Sequence, residues 1–133
     1  MNKQDILNEL DRFFYSVLVH PDLIGELTRL IFNSGFEAKF FALLVTRLQQ
    51  LAVYGVRAII LKEFELLGDG LYSMHLSGKG FNIRILYGFL KNNQPVLLLS
   101  FYERAGKSKT DYSSHIPVAS ERLLEFRKGF DHE

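Results

Sequence analysis

The stretch "KGFNIRILYGF", Lys79 to Phe89, decides how the chain around it folds. Phe81, Ile83, Ile85, Tyr87 and Phe89 alternate with Asn82, Arg84, Leu86 and Gly88, the period of two that belongs to a strand. The preceding "GLYSMHL", Gly70 to Leu76, alternates in the same way. If Gly78 and Lys79 form the centre of a tight turn, even positions of the first strand share a face with odd positions of the second. Met74, Leu76, Phe81, Ile83 and Ile85 then form a core side, and His75, Asn82 and Arg84 fall together on the other. An arginine inside such a strand has two explanations. Its stem covers apolar surface while its head reaches water or pairs with Glu103, or it is there to grip an anion.

Downstream, "KNNQP" reads as a turn and "VLLLSF" as a strand apolar on both faces, hence central, with Pro95 at its start where a missing N–H does least harm. A three-residue loop, Asn92 to Gln94, pairs position 84 with 102 and puts Tyr102 and Arg104 on the Arg84 face. A two-residue loop reverses that. "ERAGKSKTDYSSH" is polar connecting chain, and "PVASERLLEFRKG" reads as a closing helix with Pro117 early and Gly129 after it.

Upstream, "DILNELDRF" has helical spacing at Ile6, Leu7 and Leu10, a short helix over residues 1–12 that extends the domain at its N-terminus. "RFFYSVLV" reads either as continued helix or as strand, and its aromatic and β-branched content favours the strand. After Pro21, Leu23, Ile24, Leu27, Leu30 and Ile31 form one helical stripe. Ser34 and Glu37 match a capping box before a second helix whose inner face is Phe40, Leu44, Leu48 and Leu51. Asn33 to Gly35 links the two into an antiparallel hairpin.

The 133 residues fit one domain, 1–133, with 47% hydrophobic residues to supply a core. Without cysteine there is neither a disulfide framework nor a thiolate metal site. The apolar runs are shorter than a membrane span of about 20 residues. "MNKQDILNEL" lacks the core of a secretory signal, so a cytoplasmic location is expected. The net charge of +1 conceals an asymmetry: Lys79, Arg84, Lys91, Arg104, Lys107 and Lys109 stand against Glu103 alone, and the rest of the chain is net acidic. A local basic segment in an acidic chain is the footprint of an anion or nucleic-acid site, although a lysine-rich edge strand looks the same by charge.

The order of these parts resembles the RelE superfamily of type II toxins, in particular its HigB-like, phage-derived branch. A helical hairpin is followed by Gly70-Leu71-Tyr72, Arg84-Ile85-Leu86-Tyr87, an apolar strand from Leu97 to Phe101, Arg104 and Lys107, and a last helix with "IPVASERL". The similarity covers Leu23 to Phe126. His75 stands where the family often has arginine, Glu103-Arg104 where it has paired lysines, and Ser108-Lys109 where Thr-Pro is common. The resemblance implies an α+β fold, an N-terminal helical hairpin packed on a twisted antiparallel sheet with a C-terminal helix closing one edge or end.

It also implies a ribosome-dependent mRNA endoribonuclease; with no HExxH, clustered carboxylate-histidine set or phosphate-binding loop in the sequence, no metal and no nucleotide cofactor are expected. The partners implied would be mRNA on the ribosome and a helix-turn-helix antitoxin of the HigA type, with no membrane. Attack of a ribose 2′-hydroxyl on the adjacent phosphate needs cations and proton carriers. Arg84, Arg104, Lys107 and His75 are the candidate catalytic residues, and Lys79, Asn82, Tyr102 and Lys109 the candidate RNA-binding ones. Two rivals remain: a ParE-like inhibitor of DNA gyrase, favoured by the missing basic residues at 75 and 103, and a degenerate toxin fold that only binds a partner.

Overall fold

The computed structural model describes residues 1–103 and 112–131. Helix α1, Lys3–Phe13, starts at Asn2, whose side chain accepts from the Asp5 amide while Asp5 accepts from the Asn2 amide. This reciprocal cap and the buried Ile6 and Leu10 make α1 part of the core and not a loose extension. Of the predicted strand at 12–19 only Leu18–Val19, β1, is extended; Arg12 and Phe13 still belong to α1.

Helix α2, Pro21–Ile31, has Pro21 in its first turn and His20 as its cap, the ring Nδ1 accepting from the Asp22 amide at 3.2 Å. Asn33 and Gly35, with φ of 57° and 85°, turn the chain into α3, Glu37–Tyr54. Ser34 and Glu37 do meet, at 3.2 Å, but through their side chains, and Ser34 Oγ accepts from the Phe36 amide ahead of the helix. A 3-10 segment, Gly55–Ile60, follows. By length and composition Glu37–Ile60 would suffice to cross a membrane. Phe40, Leu44 and Leu51 of this segment pack into the core, whereas Val53, Val56 and Ile60 are exposed and only 22% of its apolar window is buried.

The strands β2, Phe64–Gly68, β3, Leu71–Gly78, β4, Phe81–Phe89, and β5, Pro95–Tyr102, run as an antiparallel meander. The sheet order is β1-β5-β4-β3-β2, with β1 parallel to β5, so the sheet is mixed where an antiparallel one was expected. Gly78 pairs with Phe81, which centres the β3–β4 turn on Lys79-Gly80, one residue later than expected. Moving both sides of the turn together preserves the parity, and the assignment of side chains to faces stands.

Helix α2 lies against β5 and α3 against β3, so the two are held by the strands beneath them. With α1 they bury Met74, Leu76, Ile83, Ile85 and Tyr87 in a first core. Helix α4, Ile116–Asp131, continues past Gly129 and covers the other face, where Leu71, Leu86, Leu90, Leu98, Leu99, Ala119 and Leu123 form a second core. It was expected to close an edge or an end; it contributes Arg122 to the edge of β5 and in addition covers a face, so the sheet is a filling between two layers of helix. The doubly apolar "VLLLSF" follows from that position.

Beyond the two residues of β1, the outer edge of β5 has no strand partner among the described residues. Side chains take over there. Glu26 of α2 accepts from the Ser100 amide at 3.1 Å, and Arg122 of α4 donates to the Leu98 carbonyl at 2.9 Å. The two side chains also pair at 2.9 Å, closing the edge and fastening the layers to each other.

Candidate functional site

The end of the second face that Leu71, Leu86 and Leu123 leave free is polar. Arg84 in β4 stands directly across from His75 in β3 and Phe101 in β5, and Asn82 stands across from Ser77. His75, Asn82 and Arg84 therefore share a face, as the alternation predicts. Arg84 does not reach into water, however. Its side chain is 11% exposed, as is that of Glu103, and the two form an ion pair. Asn82 Nδ2 donates to the same Glu103 oxygen at 3.1 Å, so one carboxylate brackets both neighbours. Each is left with an unmet need: Arg84 Nε and Asn82 Oδ1 are buried without a hydrogen-bond partner among the described residues.

Tyr102 is not on this face. The β4–β5 register holds Tyr87 opposite Leu97, then slips, and Leu86 stands opposite Leu99. The extra residue at Leu98 reverses the parity of everything after it, so Phe101 joins Arg84 and Tyr102 joins Ile83. Turn length alone would not reveal this, because it was the bulge that decided the outcome. Tyr102 remains 40% exposed, with its hydroxyl donating to the Gly80 carbonyl at 3.2 Å. Lys79 is exposed at the β3–β4 turn, and Arg104, Lys107 and Lys109 lie outside the described residues.

Three further polar residues join the cluster. Tyr112, just before α4, donates to Glu65 of β2 at 2.8 Å and lies 3.1 Å from Ser73 Oγ. Glu65 also lies 3.4 Å from His75 Nε2, an ion-pair distance without hydrogen-bond alignment. Burial pushes the His75 pKa down, and the Arg84 charge adds to the effect against the opposing pull of Glu65. The imidazole is thus held neutral near pH 7, in the form that accepts a proton. Burial likewise pushes the Tyr112 hydroxyl up to about 12. Phe101 stacks on the His115 ring at 3.9 Å and meets Tyr112 edge-on, walling the cluster off from α4. Among the described residues no group of His, Asp and Glu is placed to hold a metal ion. The arrangement can neutralise an anion at Arg84 and take up a proton at His75.

No protein-family model, characterised sequence or solved structure matches the chain.

Sequence reasoning missed Glu65 because β2 is short and carries an exposed Leu66, which spoils the alternation. It missed Tyr112 because a polar connector gives no periodic signal. Glu103 it weighed in two ways, as a partner for Arg84 and as a lost cation, and the first is what the structure shows. The pairing of that residue with Arg84 is what holds the middle of the site together.

Proposed function

We propose that the chain is a metal-independent endoribonuclease of the RelE type, HigB-like in its arrangement, that cuts messenger RNA on the ribosome. The observation that carries this reading is the cross-strand pair of Arg84 and His75, a fixed cation beside an imidazole kept neutral. Arg84 takes a non-bridging oxygen of the scissile phosphate, exchanging the Glu103 carboxylate for a phosphate of similar geometry. His75 accepts the proton of the 2′-hydroxyl as its oxygen attacks phosphorus. The bond to the 5′-oxygen breaks, leaving a 2′,3′-cyclic phosphate and a 5′-hydroxyl. Lys107, downstream of Glu103 in sequence, is the candidate to return a proton to that oxygen, and Arg104 to share the phosphate charge. A helix-turn-helix antitoxin is the partner this reading implies, and co-expression of the neighbouring gene product should restore growth.

The test is cleavage of message on programmed ribosomes, mapped by primer extension and divided by the folded fraction of each preparation. Cuts within the A-site codon are expected. Arg84→Lys and Arg84→Gln should each lower cleavage per folded molecule by about 100-fold or more, since neither restores the bidentate fork. Messages left intact by the wild-type chain would remove the proposal. One observation favours a second reading: Arg84 is already engaged by Glu103, which suits a fold that binds without cutting. Growth arrest with poisoned gyrase and intact messages selects the ParE-like alternative. Absence of arrest with intact messages selects a degenerate binding protein.

A further inference from the structure

Next to Arg84, a groove of about 350 Å³ runs over the end of the sheet at the β3–β4 turn. Because it wraps around that end, Asn82 and Glu103 from one face and Tyr102 from the other all line it. The glycines of the turn keep it open. A Cβ on Gly78 would come within 2.7 Å of the Phe81 ring, and Gly80 has a φ of 88° that side chains rarely adopt. Tyr102 contributes a ring held by its bond to Gly80. Asn82 contributes an acceptor that nothing among the described residues satisfies. Its amide orientation is not arbitrary: turning it over would point Oδ1 at the Glu103 carboxylate, two acceptors against each other.

We propose that this groove is a nucleobase subsite, in which Tyr102 stacks on one base and Asn82 Oδ1 accepts from an N–H on its edge. It rests on the reading that the Arg84 face meets RNA, and adds to it the place where sequence is read. An aromatic ring and one directional acceptor are the minimal equipment for single-stranded recognition: the ring supplies base-tolerant affinity and the acceptor discriminates. Arg84 Nε, two residues along the same strand face and without a hydrogen-bond partner among the described residues, suits an oxygen of the adjoining ribose-phosphate.

The experiment titrates the full chain with RNA hexamers of A, C or U and with an abasic ribose-phosphate hexamer, following backbone amide signals. At least one base-bearing hexamer should bind about fivefold or more tightly than the abasic one, the low end of what one base–aromatic stack is worth. The amides of Gly78, Gly80 and Asn82 should shift. Tyr102→Ala should erase the difference while keeping the abasic affinity, and so should methylating the N–H donors of the preferred base. Equal binding of the abasic hexamer, no binding, shifts confined to other regions, or a Tyr102→Ala variant that keeps the preference would each overturn the subsite. Cleavage without base dependence at this groove rejects the subsite alone. Base-dependent binding here with intact messages rejects the nuclease and keeps the subsite.

Discussion

The two faces of the sheet are built on different terms. The first, under α1, α2 and α3, is apolar along the whole length of β3 and β4, from Phe81 to Phe89. The second is apolar only beneath α4; past Leu86 it becomes Ser73, His75, Asn82 and Arg84, tied to Glu65, Glu103 and Tyr112. Non-directional burial holds one face, and directional bonds hold half of the other. Substitutions should therefore cost stability on the first face by volume removed and on the polar end by partners removed.

The largest effect is expected on the first face. Phe40, fully buried, should lose about 4 kcal/mol of unfolding free energy in Phe40→Ala, read from denaturant midpoints at constant slope. A loss below about 1 kcal/mol would erase the distinction between the faces. Next comes the centre of the polar end. Arg84→Met takes the guanidinium from a carboxylate that is itself 11% exposed and should cost about 3 kcal/mol. The double variant Arg84→Met/Glu103→Leu should lose less than that single one, which is the signature of a charge pair and not of packing. Arg84 is thus not the stability-neutral surface residue that its place opposite the first core suggests, and cleavage by its variants has to be referred to folded molecules.

How much of this was legible in the sequence depended on the distance over which its signals act. The β3–β4 hairpin was readable because alternation and a glycine-containing turn lie within twenty residues of each other, and both α2 and α3 follow from their apolar stripes. Burial of Arg84 was not readable, because alternation marks its face as outward. The apolar Leu86 and Leu98 were the available sign. The position of Tyr102 was lost to a single bulged residue. β1 was overestimated because two paired residues suffice to set it, whereas composition suggested eight.

Two smaller tests sharpen the comparison. Arg122→Ala removes the bonds to Glu26 and to the Leu98 carbonyl, and should cost about 2 kcal/mol while accelerating hydrogen exchange at Ser100. Unchanged exchange there would mean that the edge of β5 is protected by other means. The smallest effect is a pH dependence. The folded-state pKa of His75 lies below its ordinary value, so the unfolded chain binds its proton first as pH falls. The stability contributed by His75 is fully present above about pH 6.5 and is lost as pH drops through the folded-state value. His75→Gln should flatten the curve in that window, and an identical curve in the variant would assign the titration elsewhere.

The closed edge of β5 also has a history in time. Glu26 and Arg122 are 96 residues apart and His20 and Glu125 are 105 apart, the latter joined at 2.9 Å across the start of α2. The β2–β5 meander, by contrast, is made of neighbours in sequence. Contacts between the two ends of a chain reward folding only after the largest loop has been closed. The meander and the helices of the first face are therefore expected to assemble early, and α4 to dock late, sealing the edge and bringing Tyr112 to Glu65 and Ser73 in the same step. The polar end of the second face would be the last part of the molecule to acquire its shape and the first to lose it.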